Sequence, residues 1–473
     1  MGRPSVLFLG QSQMKSEKLF IFFGATGNLF TEKIFPAFYH LIRRSKIDNF
    51  RILAIGRRFR DDQSYKSSLH QSLSNKIPNF DSSVLDDLFL KTDYYQGDID
   101  DSQSFLSFLN EYHLHNYQEI LFYLSTLPSI YTRVLQLIEK INQQIPPKIP
   151  IKIIIEKPFG FNKNSFIHLN QLFNKLALER NIYYVDHYLG KDTVQNIIVL
   201  KAENWFIENL LSARYVKEIR IVVSEKEGVG SRGQFYEETG AIRDIFQNHI
   251  LQLLSLIAMD IPPLCQEDKI ECSSFIGSMQ QKKREVIQNL KLPDAKKIYL
   301  GQYQSYTQDI SNPFSKTETL IRFPLYVSTE RWSGVPFWII TGKRLAKKIS
   351  YIEIIFHSTT SNENRLIIEI QPEEKIDMVI QVKIPGMGLS SSPVHLNFNS
   401  LGTFGINSPE AYENILIDCY RGDKTLFPDS QFILHSWEIV DMLRNLINKE
   451  QITVEKYADN YYYAEDFINL KNN

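Results

Sequence analysis

Short apolar runs that alternate with helical patterns constrain the fold of this chain more than any other feature. The runs have the length and apolar content of buried strands, and they lie at residues 19–23, 51–55, 119–125, 150–155 and 182–185. Strands separated by helices form a parallel sheet whose crossovers are right-handed. The first part of the chain therefore predicts a Rossmann-like α/β domain.

The pattern changes after residue 191. Helical spacing at 192–211 and 241–258 accompanies β-rich runs, which lie at 216–224, 297–309, 317–329, 350–358, 364–372 and 376–383. Several of these runs are separated only by short turns, which is typical of an antiparallel sheet. We predict an N-terminal extension over 1–17, a dinucleotide-binding domain over 18–185, and a larger C-terminal α+β domain over 186–473. The last of these carries an extended, mainly antiparallel sheet for substrate binding and oligomerisation.

A glycine-containing turn follows the first predicted strand. Gly24 allows a tight turn, and Gly27 lets a pyrophosphate approach the backbone at the start of the next helix. The spacing differs from the usual GxGxxG, so an ordinary strand–helix turn is the alternative. A dinucleotide bound here would contact Gly24, Thr26, Gly27, Asn28 and Leu29.

Adjacent arginines follow the second predicted strand. An NAD site normally has an acidic residue here that accepts from the ribose 2′-hydroxyl, whereas Arg57 and Arg58 suit a 2′-phosphate. Lys33, in the first helix, adds positive charge near the phosphates. The pattern predicts NADP rather than NAD. The alternative is a solvated basic turn that also includes Arg60.

Polar groups collect at the end of the apolar run 182–185. Asp186, His187, Tyr188 and Lys191 surround a single glycine, Gly190. Ligands of open α/β sheets bind at the carboxyl ends of the strands, and burying such a cluster without a ligand is costly. The cluster predicts a binding site. The alternative is a strand end that leads into a helix cap, with the lysine in solvent.

Charge and composition exclude several classes of protein. The 473 residues include 53 Lys+Arg and 54 Asp+Glu, so the chain lacks the basic field of a nucleic-acid-binding protein. No apolar run approaches the length of a membrane span. Cys265, Cys272 and Cys419 are too few and too scattered for a disulfide framework or a zinc site. We expect a reducing, cytoplasmic compartment and no metal.

Further motifs occur in order along the chain, and together with residues 186–191 they resemble the glucose-6-phosphate dehydrogenase family. They are Glu156-Lys157-Pro158-Phe159-Gly160, Arg243-Asp244, Gln247-Asn248-His249, Arg331-Trp332-Ser333-Gly334-Val335-Pro336-Phe337 and Gly342-Lys343. Each motif is short, but their joint order and spacing are specific. The resemblance covers most of the chain, from about residue 19 to about residue 440.

The resemblance implies oxidation of glucose 6-phosphate to 6-phosphoglucono-1,5-lactone with hydride transfer to NADP, the first step of the oxidative pentose phosphate pathway. It gives His249 the role of general base, which imidazole suits because its pKa lies near working pH. Asp186 matches the carboxylate that pairs with this histidine and stabilises the imidazolium. A histidine of the core is the alternative for His249.

The resemblance also assigns the substrate contacts. His187, Tyr188 and Lys191 match sugar-phosphate binders, which supply several donors and a fixed positive charge. Lys157 matches a lysine between cofactor and substrate, and the bond to Pro158 tends to be cis in the family. The remaining matches are carboxylates at Glu225 and Asp244, lysines at Lys343 and Lys348, and a cofactor contact at Tyr123. Lys348 could equally be a solvated lysine of a surface turn.

Some positions depart from the family pattern. Asn28 replaces the usual aspartate, and Phe30 stands where a small residue is usual, which predicts a different helix tilt. Glu369 occupies a position where members with a second, structural NADP carry arginine, so we expect no such cofactor. The aromatic tail after Tyr457 also differs from the common ending.

Family members generally form dimers or tetramers through the antiparallel sheet, so a homodimer or homotetramer is expected. Two alternatives to the main function remain. One is a dehydrogenase for an unphosphorylated sugar or another aldose phosphate, but that enzyme would lack the basic pocket. The other is a catalytically inactive homologue that senses a sugar phosphate or a nucleotide, but it would lack His249 or Asp186.

Overall fold

The structure is a computed structural model that describes residues 17–98, 101–126, 128–175, 181–262 and 273–461. Most of the predicted extension, two of the cysteines and the end of the aromatic tail lie outside these ranges. The chain divides into two compact units. The first contains the described residues up to Gly160, then Asn164–Gly190 and Glu410–Asp429. The second contains Phe161–Lys163, Lys191–Pro409 and the described residues from Ser430 onward.

The first unit contains a six-stranded parallel sheet with the strand order β3-β2-β1-β4-β5-β6. Its strands are β1 (Lys18–Phe23), β2 (Phe50–Gly56), β3 (Thr92–Gln96), β4 (Glu119–Leu124), β5 (Ile151–Glu156) and β6 (Ile182–Val185). The order reverses between β1 and β4, which is the switch point where doubly wound sheets bind dinucleotides. The predicted Rossmann-like fold is confirmed.

Helices cover both faces of this sheet, so its central strands consist mainly of apolar residues. The helices are α1 (Phe35–Arg43), α2 (Asp62–Lys76), α3 (Ser82–Leu90), α4 (Ser102–Glu111), α5 (Tyr131–Gln144) and α6 (Lys163–Lys175). In β1 every residue from Leu19 to Phe23 is fully buried. Phe20 packs edge-on against Phe38 of α1, with ring centroids 5.2 Å apart. This packing fixes the turn that follows β1.

A helix from late in the chain also belongs to the first unit. This helix, α14 (Ala411–Arg421), is joined to the end of α1 by an ion pair between Arg44 and Glu413 at 2.9 Å. Lys152 of β5 donates to the carbonyl of Cys419 at 3.1 Å. The predicted division into 18–185 and 186–473 therefore differs from the structure, because local patterns do not show that residues 410–429 pack on the first sheet.

The second unit contains a ten-stranded sheet with the order β15-β14-β13-β12-β7-β11-β10-β9-β16, and β8 pairs with β10. The strands are β7 (Val216–Ser224), β8 (Leu290–Lys291), β9 (Tyr299–Tyr303), β10 (Leu320–Val327), β11 (Pro336–Gly342), β12 (Ile349–Phe356), β13 (Arg365–Gln371), β14 (Lys375–Lys383), β15 (Ser391–Asn399) and β16 (Val454–Tyr457). Only the β7–β11 and β9–β16 pairs are parallel. The predicted, mainly antiparallel sheet is confirmed.

Helices of the second unit include one with an unusual hydrogen-bond pattern. The α-helices are α7 (Asp192–Glu203), α8 (Trp205–Leu210), α9 (Gly233–Ala241), α10 (Leu251–Ala258), α11 (Ser273–Gln288), α12 (Tyr306–Asp309), α13 (Ser400–Phe404) and α15 (Ser430–Lys449). Between α9 and α10 the chain forms a π-helix, Ile242–Ile250. None of the helices within the described ranges has the length and apolarity needed to cross a membrane.

Candidate active site

The turn after β1 has the geometry that a dinucleotide needs. Gly24 has φ +84°, and a Cβ atom there would lie 2.5 Å from the carbonyl oxygen of Ser125, so no side chain fits. The amide of Gly27 donates to Gly24 O at 3.0 Å, which closes the turn. Helical structure begins at Asn28, whose side chain is exposed. The amides of a first helical turn have no helical acceptor and suit a phosphate group.

Two residues that the sequence did not single out hold this turn. A Cβ atom on Gly56 would lie 2.4 Å from the methyl group of Thr26, so β2 must end in glycine to let the turn pack. The buried hydroxyl of Tyr65 donates to Ala25 O at 3.0 Å. A glycine that ends a strand is a visible signal, whereas nothing local marks Tyr65.

Phe30 is accommodated by a wider helical turn. Residues Phe30–Ile34 form a π-helix that leads into α1. The Phe30 ring is fully buried and packs edge-on against Phe22, with centroids 4.9 Å apart. Leu29 is partly buried against the same core. The buried ring of Phe30 therefore anchors the turn Gly24–Leu29, in which Asn28 is exposed.

The basic residues near the turn are exposed. The Arg57 side chain is 77% exposed, and its guanidinium lies 3.2 Å from Asp98. Arg58 is also exposed. Lys33 lies 3.9 Å from Glu410, and both of these side chains are largely in solvent. Exposed ion pairs contribute little free energy, so these cations can exchange their partners for a phosphate.

The side chain of Tyr123 lies in the interior of the first unit. It is fully buried, stacks on Phe22 with centroids 5.0 Å apart, and its hydroxyl donates to Glu156 at 2.6 Å. The phenol thus holds the carboxylate next to Lys157, and the cofactor contact at Tyr123 stays a prediction. Lys157 itself is partly exposed, and its bond to Pro158 is cis, as the family resemblance implies.

Burial gives Glu156 an unusual pKa. Loss of solvation raises the pKa of this carboxyl to about 7, while the hydrogen bonds from Tyr123 and Tyr412 oppose the rise. The backbone carbonyl of the same residue accepts from Tyr131 at 2.9 Å. A carboxylic acid at the end of an apolar strand could have drawn attention in the sequence, but its tyrosine partners could not.

The turn after β6 packs against α14. Asp186 is buried, and one of its carboxylate oxygens accepts from the amide of Tyr188 at 3.0 Å. A Cβ atom on Gly190 would lie 2.4 Å from Ala411 O, so the glycine permits close approach of the two backbones. Asn414 donates to Gly190 O at 2.9 Å. Lys191 is the N-cap of the next helix and is partly exposed, so the role of this turn as a binding site stays a prediction.

Aromatic packing orients the imidazole of this turn. His187 is half-buried, and its ring lies parallel to that of Tyr412 with centroids 6.5 Å apart. Its ring also meets Tyr188 edge-on at 5.2 Å. Tyr412 and Asn414 carry no local signal of this role, because they lie in a helix far along the chain.

In the second unit, Asp244 and His249 lie on the π-helix and are buried. Hydrogen bonds of a π-helix join residues five apart, so this helix brings the two side chains closer to one face than an α-helix would. Asn248 links them through the backbone, because it donates to Asp244 O at 3.0 Å and accepts from the His249 amide at 2.6 Å. Arg232 lies 4.0 Å from Asp244.

Lys343 and Glu225 form an ion pair in the second unit. The Lys343 ammonium also lies 5.0 Å from the centre of the Tyr236 ring. The backbone holds both residues: the Glu225 amide donates to Gly342 O at 2.9 Å, and the Lys343 amide donates to Thr319 O at 2.9 Å. The sequence singled out both residues but not their contact.

The remaining predicted positions differ in environment. Lys191 is partly exposed before α7, and Lys348 is exposed before β12. Glu369 is buried and lies 3.3 Å from Lys375, and it accepts from the Glu373 amide at 3.2 Å. Arg232, which the sequence did not single out, ends a short 3-10 helix, Gly230–Arg232, directly before α9.

Comparisons with known proteins match both units. The family model "Glucose-6-phosphate dehydrogenase, NAD binding domain" matches residues 21–196, and the model of the C-terminal domain of the same enzyme matches residues 198–467. The chain belongs to the glucose-6-phosphate dehydrogenase family. The nucleotide-binding domain of the family gives the first unit a nicotinamide cofactor.

Individual members of the glucose-6-phosphate dehydrogenase family are similar over almost the whole chain. The glucose-6-phosphate 1-dehydrogenase of Borreliella burgdorferi is 33% identical, with 94% of each chain covered. That of Chlamydia pneumoniae is 32% identical, covering 89% of this chain and 88% of its own length. A solved glucose-6-phosphate dehydrogenase in complex with glucose 6-phosphate has a TM-score of 0.87 at 25% identity, with 96% of each chain covered.

Proposed function

We propose that this protein oxidises glucose 6-phosphate to 6-phosphoglucono-1,5-lactone and uses NADP as the hydride acceptor. The observation that carries the proposal is the burial of Asp244 and His249 on one π-helix. Membership of the family supplies the reaction, and the resemblance matches His249 to the general base and Asp244 to a carboxylate that binds the sugar. The same reaction begins the oxidative pentose phosphate pathway.

His249 is proposed as the general base. Oxidation at C1 removes the hydroxyl proton and a hydride, so the lactone carbonyl forms as both leave. Imidazole takes the proton, and a buried position keeps competing water away from it. The nicotinamide, when bound, accepts the hydride. The pairing of His249 with Asp186 remains a prediction from the family resemblance.

Acidic and basic side chains are both proposed to contact the sugar phosphate. Asp244 and Glu225 would accept hydrogen bonds from sugar hydroxyls, which disfavours an analogue that lacks them. Lys343 already pairs with Glu225, and it would share its charge with the substrate phosphate. His187, Tyr188, Lys157, Lys191 and Lys348 keep their proposed substrate roles.

Arg57 and Arg58 are proposed to read the ribose 2′-phosphate of NADP. Their exposure and the weak partner at Asp98 leave the guanidinium groups available. Planar guanidinium groups bind phosphate through paired hydrogen bonds. The turn Gly24–Leu29 would hold the pyrophosphate, with Lys33 adding charge.

A second copy of the chain is the proposed partner, and the cytoplasm is the proposed compartment. Exposed apolar side chains on and after β14 and β15 include Val382, Val394, Leu396, Leu401 and Phe404. An apolar sheet face of this kind favours association of identical subunits. The low number of cysteines favours a reducing environment.

The experiment that tests the proposed reaction is the rate of reduced-nicotinamide formation with glucose 6-phosphate, run with NADP and with NAD. Glucose serves as the control substrate. Reduction of NADP only with the phosphorylated sugar is the expected result. A folded protein that binds the sugar phosphate but reduces neither cofactor would instead be a sensor, and the proposed reaction would fail.

Replacing Arg57 with alanine tests the choice of cofactor. We expect Arg57→Ala to raise KM for NADP about 10- to 100-fold, since a charge-assisted pair with a phosphate is lost, and to leave KM for NAD nearly unchanged. Arg60→Ala is the matched control, because Arg60 is exposed in the same turn. Equal losses for NADP and NAD in Arg57→Ala would contradict a role in binding the 2′-phosphate.

A further inference from the structure

The π-helix that carries Asp244 and His249 begins at a strained position. Gly240 has φ 61° and ψ −177°, a backbone conformation that residues other than glycine rarely adopt. A Cβ atom there would lie 2.3 Å from a carboxylate oxygen of Glu318. The chain therefore turns into the π-helix directly against this carboxylate.

Glu318 holds the first residues of the π-helix through both its backbone and its side chain. Its carbonyl accepts from the Ala241 amide at 3.0 Å, and its carboxylate accepts from the Ile242 amide at 3.2 Å. The side chain of Glu318 is only 2% exposed. Negative charge at the start of a helix is favourable, because the free amides there carry partial positive charge.

Arg444 of α15 completes the arrangement. Its two terminal nitrogens donate to the two carboxylate oxygens of Glu318 at 2.7 and 3.1 Å. This fork-to-fork geometry is the strong form of an ion pair, and it fixes direction as well as distance. The charge of the buried carboxylate is thereby compensated, which its burial requires.

A second contact joins the π-helix to α15. Gln247 donates to the hydroxyl of Ser436 at 2.8 Å, and both residues are buried. The π-helix is therefore fastened at its start by Glu318 and Arg444, and near its end by Ser436. Wide helical turns of this kind are rare and persist where the surroundings hold them.

We infer that Glu318, paired with Arg444, is a positioning residue that sets where Asp244 and His249 stand for the oxidation of glucose 6-phosphate. The inference rests on the proposed function. Glu318 acts through the backbone of Gly240–Ile242. Loss of its charge would release that turn, and a shift of about 1 Å at reacting groups lowers rates by about 100-fold.

The substitution Glu318→Gln tests this role. We expect kcat to fall about 10- to 100-fold, the KM for glucose 6-phosphate to rise, and the KM for NADP to stay unchanged, because the cofactor turn lies in the first unit. Arg444→Lys, which keeps the charge but not the fork, should lose less activity. The acid limb of the pH profile of kcat/KM should also move in Glu318→Gln.

The matched control is Glu208→Gln. Glu208 of α8 also accepts from an arginine, Arg331 at 2.6 Å, and from a backbone amide, that of Ile261 at 3.4 Å. It fastens α8 rather than the π-helix. Its loss should reduce thermal stability while leaving kcat and both KM values unchanged. Equal kinetic effects in Glu208→Gln and Glu318→Gln would reduce Glu318 to a general stabilising role and overturn the inference.

Amide hydrogen exchange separates this inference from the proposed reaction. We expect at least tenfold faster exchange at residues 242–250 in Glu318→Gln and no change there in Glu208→Gln or His249→Asn. His249→Asn should lose several orders of magnitude in kcat with the helix intact. If the wild-type protein does not oxidise glucose 6-phosphate, the proposed reaction fails while the exchange result still decides the positioning. Unchanged exchange at 242–250 in Glu318→Gln would overturn the inference that Glu318 positions the π-helix.

Discussion

At the scale of the residue, Glu156 shows how burial prepares a group for titration near neutral pH. Its carboxyl is shielded from solvent, and its hydrogen-bond partners are the neutral hydroxyls of Tyr123 and Tyr412. Burial therefore raises its pKa to about 7, against about 4.5 for an exposed glutamate. At a pH between these two pKa values, the folded protein binds a proton at this carboxyl that the unfolded chain does not bind. The carboxyl therefore stabilises the protein less as pH rises through that window.

Glu156→Gln should remove this pH dependence. Below pH 4.5 the group is protonated in both states, and above pH 7 its burial cost is complete, at about 3 kcal/mol. The stability of the wild type relative to Glu156→Gln should therefore fall by about that amount between pH 4.5 and pH 8. Urea unfolding of both proteins across this range measures it, with Tyr131→Phe as a control that keeps the carboxyl. Parallel curves for wild type and Glu156→Gln would contradict the raised pKa.

Residues that act through their own chemistry could be predicted from the sequence, whereas residues that act through neighbours could not. Gly24 and Gly27 stand out because a turn between a strand and a helix requires them. The hydrogen bond from Tyr123 to Glu156 could not be predicted, because a motif does not show which face of a strand a side chain occupies. Glu318 belongs to a motif, Thr317-Glu318-Thr319, that the family resemblance includes, but its role could not be predicted, since its partners Ile242 and Arg444 are distant in sequence.

At the scale of the element, the short strand β16 supports the loop that carries Lys343. The hydroxyl of Tyr457, at the end of β16, donates to Lys343 O at 2.6 Å and lies 2.9 Å from the hydroxyl of Thr319. Thr319 O in turn accepts from the Lys343 amide. The proposed substrate contact Lys343 is thus held in place by a strand that is remote from it in sequence.

Tyr457→Phe should loosen this loop. The carbonyl of Lys343 loses its hydrogen-bond donor, which lowers the free energy of unfolding by about 1–3 kcal/mol. The KM for glucose 6-phosphate should rise several-fold, with little change in the KM for NADP. Tyr326→Phe is the control, because Tyr326 makes an exposed hydrogen bond with Lys297 on the same sheet. Steady-state kinetics measure both variants. An unchanged KM for the sugar phosphate in Tyr457→Phe would show that β16 does not position Lys343.

Element prediction succeeded where strands are apolar and failed where they are short or polar. β7 was predicted at its observed bounds, because both of its faces pack against apolar neighbours. β3 was missed because Thr92–Gln96 is an edge strand with alternating polar residues. β16 was missed because four residues after a long helix give no period, and its place depends on pairing with β9. The spacing over 241–258 predicted a helix, but it did not show that residues 242–250 form a π-helix.

At the scale of the whole molecule, the outer strands of the large sheet present an apolar surface. Leu396 of β15 is 54% exposed, and Val394 on the same face is 40% exposed. β15 ends the sheet, so one of its edges has no strand partner within the described residues. Exposed edges of this kind attract other chains unless they are covered. The proposed second copy would cover it.

Leu396→Glu tests this assembly. A charge placed in an apolar contact between subunits should shift the molar mass toward the monomer, because the carboxylate would be buried without a partner. Sedimentation equilibrium of wild type and variant measures the shift. Leu90→Glu is the control, since Leu90 is 69% exposed but lies on α3 of the first unit. An oligomer that persists in Leu396→Glu would place the interface elsewhere.

The first unit is completed by α14, which is encoded long after the strands that it covers. During synthesis, β1 to β6 therefore emerge from the ribosome before the helix that pairs with Arg44 and closes the turn at Gly190 exists. Contacts so distant in sequence delay folding, because a long loop must close before they form. The cofactor-binding unit is consequently complete only when residues 410–429 have been made, and a fragment that ends at Gly190 would lack one of its helices.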